Sequence, residues 1–443
     1  MRRSRVRFAA IAVVATLVAA CSNGVHLEFE TRARIAPPAA SSAPTASPVS
    51  GGAIDTAAVA GPNGQPAGLA TEATATPTGA PIKIGIVLPL QGGQRSFGEP
   101  VLRTTQAYID ELNAHGGVNG SPLELISYNA CLVCQDDALQ AVRRLVEEDG
   151  VFAIVNTYVM VVAFQPVIPY LVQKGVPLVQ GGSEAQTSDA LSPVNFATAP
   201  PGAFYANFLP AMATDYVHAT RIGITYLDVP SEANGVPILK QQLAAKGVEV
   251  VDAEPIGAAE DAVTNMDAVV TKMRANGAQA VLATNPVLVI YGRLAADRQG
   301  WSAQWFGPAA WSRLVEDSCG VTCDDLVLTE TAGLSWIDRD SPQMHEFIDT
   351  LARRYPGGEL SGHTLAAWVG MQLTVEALRR SGPDRAAFIA TIESFSDLDL
   401  GTTSPLTFSP DRHLGGTRST LLRLQGGKYV AASEPLTYGE ASL

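Results

Sequence analysis

The sequence predicts an α/β protein built from two doubly wound, Rossmann-like lobes. Three observations predict this fold. Apolar runs alternate with helix-like stretches from residue 81 onward, the runs are apolar throughout, and the pattern restarts after PPG at 200–202. Strands of this kind, separated by helices, form parallel sheets covered on both faces. The chain has 443 residues, 47% of them hydrophobic, which is enough for two such domains.

Residues 1–20 have the features of a secretory signal peptide. Four arginines precede an apolar run at 8–20, which ends in small residues. The run is shorter than a transmembrane helix requires. The tetrad VAAC, which ends at Cys21, resembles the acylation site of bacterial lipoproteins. We therefore expect a lipid anchor at Cys21, the alternative being an ordinary cleavage site beside a chance cysteine. The pair Arg2-Arg3 leaves open whether export uses Sec or Tat.

Residues 21–80 are dominated by Ala, Pro, Ser, Thr and Gly. Such a stretch has too few large apolar residues to build a core, so we expect a disordered tether. A flexible chain of this length has an r.m.s. reach of roughly 40 Å. Anchor and tether together predict a globular body held at the outer face of the cytoplasmic membrane. That body would touch the membrane through its lipid anchor only.

The first half of the body predicts four strands joined by helices. The strands are the apolar runs at 82–88, 123–128, 152–155 and 176–179. The first helix carries Val101, Tyr108 and Leu112 on one face and ends at HGG, 115–117. Asp136 or Asp137 is expected to cap the second helix.

The second half of the body repeats this arrangement. Its strands are expected at 221–226, 248–251, 280–283 and 304–306, and its helices at 204–216, 236–246, 267–276 and 291–299. In doubly wound sheets, ligands lie beyond the carboxyl ends of the strands. We therefore expect the crevice to be lined by the loops after Leu88, Val155, Val179, Tyr226, Ala283 and Phe306.

The run IGIVLPLQGG…SFGEPVLRTTQAYIDELNAHGGVNGSPLELISYNA contains a strand, a small-residue loop, an aromatic–glycine pair and a helix ending in a GGVNG turn. It resembles the type I periplasmic binding proteins, specifically the branched-chain amino acid (Leu/Ile/Val) substrate-binding family of ABC transporters. Four later segments agree in order: LVEEDGVFAIVN, QKGVPLVQGGS, RANGAQAVLATN and TLAAWVGMQLTVEALRRSG. The resemblance extends over about residues 82–430.

The resemblance implies two lobes joined by three crossover segments, near 199–201, 331–333 and 403–406. Lobe one would comprise residues 81–200 and 334–404, and lobe two residues 201–333 and 405–443. It also implies hinge closure around one small ligand, after which the closed form docks on a membrane permease. A ligand shifts such an equilibrium only by its differential affinity for the two states, so both lobes must contribute contacts.

In lobe one, the resemblance places Phe97 where the family has an aromatic residue against the ligand side chain. A core aromatic is the alternative for this position. The family's hydroxyl pair after the third strand, which takes the ligand carboxylate, is absent, because Asn156-Thr157-Tyr158 stands there. Backbone and hydroxyl contacts are expected in the next loop, at Gly182, Ser183 and Glu184, with simple loop solvation of Ser183 as the alternative.

Lobe two departs further from the family pattern. Asn234 stands where the family has a tyrosine, and Asn285 lies in the loop that often carries a second aromatic residue. The acid that usually pairs with the ligand ammonium would fall near Ala309 and Ala310, where nothing is charged, although Trp311 is close.

Burying a zwitterionic amino acid requires partners for both of its charges. Because neither usual partner is in place, we expect a less polar or neutral ligand, a class that includes aromatic compounds. The residues that suit such a ligand are Phe97, Tyr158, Asn234, Asn285 and Trp311. Glu184 is the residue that could receive an ammonium group instead.

Four further cysteines form two close pairs, Cys131 with Cys134 and Cys319 with Cys323. Outside the cytoplasm, close pairs in even number predict disulfides, here one in each lobe. A zinc site is an alternative that would require pairs from different predicted lobes to converge. A redox-active CxxC is another, although no thioredoxin-like βαβ unit surrounds it.

The sequence contains no G-x-S-x-G, H-E-x-x-H or P-loop motif, and GGQRSFG lacks dinucleotide-binding spacing. We therefore expect no enzymatic activity, no cofactor and no metal. A formal charge of -13 argues against a nucleic-acid partner. The sequence predicts a monomeric, lipid-anchored solute-binding protein that delivers a small organic ligand, amino-acid-like or less polar, to an ABC permease. The alternatives are a non-transport ligand sensor or envelope-assembly lipoprotein of the same fold, and an extracytoplasmic hydrolase.

Overall fold

The computed structural model describes most of the chain from residue 76 to residue 437. The described residues are 76–160, 163–181, 193–198, 203–228, 230–233, 235–257, 261–308, 314–329, 341–358, 360–416, 418–419, 421–433 and 436–437.

The first sheet has five parallel strands in the order β2-β1-β3-β4-β5. Its strands are β1 (Ile82–Leu88), β2 (Leu123–Asn129), β3 (Ala153–Val155), β4 (Leu178–Val179) and β5 (Asn195–Phe196). The helices between them are α1 (Arg95–Ala114), α2 (Gln135–Arg143) and α3 (Val167–Lys174). A π-helical turn, Arg144–Glu148, extends α2. The N-cap of α2 is Cys134, and Asp136 and Asp137 lie in its first turn, so the predicted aspartate cap is wrong.

The second sheet has seven strands in the order β13-β12-β10-β9-β8-β6-β7. Its parallel strands are β6 (Arg221–Leu227), β7 (Glu249–Ile256), β8 (Ala280–Ala283), β9 (Gln304–Pro308) and β10 (Val327–Thr329). The associated helices are α4 (Ala203–Asp215), α5 (Pro230–Ala233), α6 (Val236–Ala245), α7 (Asp261–Ala275), α8 (Pro286–Arg298) and α9 (Leu314–Cys319). Two antiparallel strands, β12 (Leu421–Gln425) and β13 (Lys428–Ala431), complete this sheet as a hairpin. A separate two-stranded ribbon pairs β11 (Arg418–Ser419) with β14 (Leu436–Thr437).

Both sheets are buried on both faces. In the first sheet, Ala153 and Val155 of β3 face one core while Ile154 between them faces another. In β8 of the second sheet, Leu282 and Val281 likewise face opposite cores. This division explains the uninterrupted apolar runs of the sequence, since a strand covered on both faces has no polar side.

Three helices after the second sheet's parallel strands return to the first sheet. They are α10 (Pro342–Arg354), α11 (Gly362–Ser381) and α12 (Arg385–Glu393). Phe347, Trp368 and Phe388 pack from these helices into the core that includes Ile84 of β1. The first sheet with its helices therefore forms lobe one, and the second sheet with its helices forms lobe two.

Ala197, which follows β5, lies beside Leu414. These two residues form a parallel bridge, in which the Ala197 amide donates to the His413 carbonyl oxygen at 3.0 Å. Leu406 and Phe408 still pack in the core of lobe one, whereas Leu421 packs in lobe two. The segments predicted as crossovers at 199–201 and 331–333 lie outside the described residues.

Candidate ligand-binding site

The loop after β1 fixes the start of α1 at the carboxyl edge of the first sheet. The Leu90 amide donates to Asn129 Oδ1 at 2.7 Å, and buried Gln94 accepts a hydrogen bond from the Leu132 amide at 3.0 Å. A Cβ on Gly98 would lie 2.3 Å from the Pro89 carbonyl oxygen, so only glycine permits this close approach of helix and loop. Phe97 consequently lies in the first turn of α1, half-buried beside the end of β1.

Phe97, Tyr158 and His363 form an aromatic group at this edge. The rings of Phe97 and His363 meet edge to face with centroids 6.3 Å apart, and those of Tyr158 and His363 are 6.2 Å apart at an interplanar angle of 21°. The Tyr158 hydroxyl donates to the His363 carbonyl oxygen at 2.5 Å. All three side chains are half-buried, so they provide an apolar surface that is partly open.

His363 was not singled out from the sequence, because it lies 205 residues beyond Tyr158 and reaches the site on a different helix. It occupies the second position of α11, inside a capping box formed by Ser361 and Thr364. In that box Ser361 Oγ accepts from the Thr364 amide, and Thr364 Oγ1 accepts from the Ser361 amide. The signal in the sequence was the segment SGHTLAAW, in which Ser361 and Thr364 can form a capping box and an apolar stretch follows. It could have indicated where the helix begins, and hence that His363 lies in its first turn.

Burial controls the protonation of both polar rings in the aromatic group. It lowers the pKa of His363 from 6.5 to about 4, because the charged imidazolium loses its hydration. It also raises the pKa of Tyr158 well above 10. Both rings are therefore neutral at physiological pH, so the aromatic group of Phe97, Tyr158 and His363 carries no charge.

Two strand ends hold α11 against the sheet. Asn156 and Gln180 directly follow β3 and β4, and both have left-handed backbone conformations, with φ of 55° and 56°. Asn156 Nδ2 donates to the Ala367 carbonyl oxygen at 3.0 Å, and Gln180 Nε2 donates to that of Ala366 at 3.3 Å. Such backbone strain is characteristic of functional sites, where surrounding contacts maintain it.

In lobe two, a polar group lies at the carboxyl ends of β6 and β8. Glu232 of α5 accepts hydrogen bonds from the Leu227 amide at 2.9 Å, from Thr284 Oγ1 at 2.6 Å and from Asn285 Nδ2 at 3.1 Å. Burial raises the pKa of Glu232, and these three donors partly oppose that shift. Sequence reasoning missed Glu232, because a glutamate in the SEANG segment is indistinguishable from a solvated loop residue.

Asn285 has a structural task as well as a place in the candidate site. Its Oδ1 accepts from the Val287 amide at 3.0 Å and caps α8, which begins at Pro286 rather than at the predicted residue 291. Its amide nitrogen is directed to Glu232. Asn285 therefore orients the carboxylate of Glu232 from a rigid position at a helix start.

The remaining predicted ligand contacts lie outside the described residues. They are Gly182, Ser183, Glu184, Asn234 and Trp311, and the predicted lipidation site Cys21 is outside as well. Of the described candidates, Phe97 and Tyr158 each contact His363 in lobe one, and Asn285 lies in lobe two.

The four body cysteines are paired as the sequence predicts. Disulfide bonds join Cys131 to Cys134 and Cys319 to Cys323, so neither pair offers thiolates to a metal. In the part of the chain that the structure describes, no group of three or more His, Cys, Asp and Glu side chains could hold a metal ion. The Cys131–Cys134 loop follows β2, and the Leu132 amide within it donates to Gln94 Oε1. This hydrogen bond joins the loop after β2 to the residue that precedes α1.

A groove of about 850 Å³ lies at the opposite, amino edge of the first sheet. Its cationic groups already serve the fold, since Lys83 donates to the Asp149 carbonyl oxygen and Arg385 donates to the carbonyl oxygens of Val151 and Phe152. The candidate site is therefore assigned to the carboxyl edges of the two sheets, where ligands of doubly wound folds bind. Among the described helices, none is long and apolar enough to cross a bilayer.

Comparison with known proteins bears on both the family and the fold. The profile of a family described as periplasmic binding protein matches residues 81–428. A curated relative, the Leu/Ile/Val-binding protein homolog 7 of Brucella suis, is 24% identical over 388 residues, which cover 81% of this chain and 92% of that protein.

Solved structures of low sequence identity share the fold. A solute-binding protein of R. palustris in complex with 4-hydroxybenzoate has a TM-score of 0.67 at 17% identity, covering 81% of this chain and 97% of that one. A branched chain amino acid ABC transporter protein of Thermus thermophilus with bound valine has a TM-score of 0.69 at 14% identity, with 81% and 96% covered. The predicted two-lobed α/β fold is confirmed.

Proposed function

Because this chain belongs to the type I periplasmic binding proteins of the branched-chain amino acid ABC transporter family, we propose that it is a lipid-anchored solute receptor for an ABC importer. Members of this family are solute-binding proteins and not enzymes. In our proposal the two lobes close on a small organic ligand, and the closed form delivers it to a permease in the cytoplasmic membrane.

One observation supports this proposal: each lobe has a group of side chains at the carboxyl edge of its sheet, where we propose that the ligand binds. Lobe one contributes the neutral aromatic group of Phe97, Tyr158 and His363. Lobe two contributes Glu232 and Asn285. A ligand that contacts both groups has more contacts in the closed state than in the open one, which is the condition for it to drive closure.

The aromatic group favours a ligand with an aromatic or other apolar body. Ring faces bind such a body by apolar burial and stacking, and they do not require it to carry charge. The neighbour from R. palustris binds 4-hydroxybenzoate, so this fold accommodates an aromatic compound. We propose that Gly182, Ser183, Glu184, Asn234 and Trp311 complete the contacts.

The cellular location follows from the N-terminal sequence. We propose acylation at Cys21, a tether over residues 21–80 and a body on the outer face of the cytoplasmic membrane. The disulfides at Cys131–Cys134 and Cys319–Cys323 suit that oxidising location. We further propose that the last crossover between the lobes lies between Phe408 and Leu421, since these residues pack in different lobes.

A thermal-shift screen of the purified full chain tests this function. The panel contains aromatic acids, aromatic amines and the amino acids leucine, isoleucine and valine. A true ligand at 100 times its Kd stabilises the folded state by about 2.7 kcal/mol, and X-ray scattering should then record a smaller radius of gyration. Stabilisation without compaction would contradict the closure mechanism. Micromolar affinity for leucine, isoleucine or valine would contradict the proposed ligand class while leaving the receptor function intact.

A further inference from the structure

Glu232 is hydrogen-bonded by the protein but not neutralised by it. Its three donors, the Leu227 amide, Thr284 and Asn285, are all uncharged. None of the ion pairs among the described residues includes Glu232. Glu376 of α11, by contrast, pairs with Arg380 one turn further along the helix.

The two oxygens of Glu232 are unequally occupied. Oε2 accepts from both the Leu227 amide and Thr284 Oγ1, whereas Oε1 accepts from Asn285 alone. A carboxylate has about four acceptor positions, so Oε1 has room for one more donor. Asn285 cannot turn to fill it, because its own Oδ1 is held by the Val287 amide.

This acceptor lies where ligands of doubly wound sheets bind. Glu232 follows β6, and both of its side-chain donors follow or belong to the end of β8, the adjacent strand. Glu232, Thr284 and Asn285 are each half-buried, so the group is part of the surface at this edge. A ligand lying beyond the strand ends would therefore lie near Glu232.

We propose that Glu232 is the ammonium-binding residue of the site, and that the ligand is a small compound with an apolar or aromatic body and a protonated amine but without the carboxylate of an amino acid, for which the family's hydroxyl pair is absent. This inference rests on the proposed function and specifies its ligand class. The amine would donate to Oε1 while the body lies against Phe97, Tyr158 and His363.

A cationic donor satisfies this site better than a neutral one. A partly buried carboxylate without a counter-charge is costly, and a neutral hydroxyl would fill the acceptor position without compensating the charge. A hydrogen bond between ammonium and carboxylate is roughly twice as strong as one between neutral groups. Burial raises the pKa of Glu232, because desolvation disfavours its charged form, and a cationic donor would oppose that effect.

The position of this carboxylate differs from the one that the sequence resemblance implies. There the acid would fall near Ala309 and Ala310, where this chain has none. Glu232 lies more than 70 residues earlier, in the loop region after β6, yet at the same edge of the same sheet. The charge would therefore be supplied from the end of β6, which is separated from β9 by one strand, β8.

Matched pairs of small molecules test the inference without altering the protein. The full chain is titrated calorimetrically with 2-phenylethylamine and 2-phenylethanol, and with tyramine and its alcohol analogue. Each amine should bind about tenfold or more tightly than its alcohol. If the alcohols bind as well as the amines, the inference is wrong, although the receptor function stands. If no member of either pair binds, the proposed ligand class is wrong, and the wider metabolite screen alone decides the function.

A pair of variants locates the effect. Glu232→Gln should weaken amine binding about 30-fold or more, since it removes the charge that the ammonium pairs with. Glu249→Gln removes the same charge from an exposed pair with Arg221 at the amino edge of the same sheet, and it should leave affinity unchanged. Equal amine affinity in the wild type and both variants would overturn the assignment. Thermal unfolding without ligand verifies that Glu232→Gln folds.

Discussion

Two side chains of the candidate site are held in environments that disfavour their charged forms. Burial lowers the pKa of His363 to about 4 and raises that of Glu232. The imidazole is therefore neutral at pH 7, whereas the carboxylate, if ionised, needs a counter-charge from outside the described chain. This difference suits His363 to contact with apolar groups and Glu232 to contact with hydrogen-bond donors.

The pKa of His363 predicts a loss of stability in acid. The unfolded chain binds a proton at this residue near pH 6.5, but the folded chain does so only near pH 4, so His363 favours unfolding as the pH falls between these values. At pH 5 the expected cost is about 2 kcal/mol. Urea unfolding at pH 7 and pH 5 should show that His363→Gln removes about this much of the wild-type difference. His218→Gln, at an exposed histidine of lobe two, should keep it; equal pH dependence in all three proteins would refute the assignment.

The residues of the site differ in how far sequence could predict them. Phe97 and Tyr158 were predictable, because each lies shortly after an apolar strand whose carboxyl end can be located in the sequence. His363 and Glu232 were not, because tertiary packing brings them to the site from α11 and from the short helix α5. No local pattern distinguishes either of them from a surface residue.

Among the helices, α11 determines the geometry of lobe one most directly. Its capping box fixes where it begins, and its carbonyl oxygens accept hydrogen bonds from Asn156 and Gln180. Gly370 allows this contact, since a Cβ there would lie 2.1 Å from Asn156 Oδ1 and 3.0 Å from Gln180 Cβ. The helix can therefore lie directly on the strained strand ends and present His363 beside Tyr158.

Gly370→Ala should destabilise the protein even though alanine is the better helix former. Overpacking typically costs 1–3 kcal/mol, and the gain in helix propensity returns roughly 1 kcal/mol at most. We expect a net loss of about 1 kcal/mol, measured by urea unfolding. In an Asn156→Gly background, where the clashing oxygen is absent, the same substitution should cost much less. An equal loss in both backgrounds would show that the close contact with Asn156 is not the cause.

The elements themselves were predicted unevenly. Long buried strands such as β1 and β6 were located within a residue, because parallel strands covered on both faces are continuously apolar. The three-residue strand β10 was too short to stand out, and the hairpin of β12 and β13 was missed although Gly426-Gly427 forms its turn. Helix α7 begins at Asp261, six residues before its predicted start.

For the molecule as a whole, the point where the chain enters the body is separated from the candidate site. Residue 82 begins β1 at the amino edge of the first sheet, whereas Phe97, Tyr158 and His363 lie at its carboxyl edge. The Gly79 amide donates to the Gly120 carbonyl oxygen, which secures the entering chain on that far side. An anchored N-terminus would therefore leave the ligand site unobstructed.

This separation predicts that anchoring and ligand binding are independent. Acylation at Cys21 would supply the two or more chains that stable membrane attachment requires, so Cys21→Ser should release the protein from the membrane fraction into the extracytoplasmic soluble fraction. Ligand-induced thermal shifts of the purified variant should equal those of the acylated protein, because the tether predicted at 21–80 meets the body on the side away from the site. Fractionation of cells followed by immunoblotting measures the first effect, with Ser22→Ala as a neighbouring control that stays in the membrane. Retention of Cys21→Ser in the membrane would exclude this anchor, and an altered thermal shift would show that the anchored segment communicates with the site.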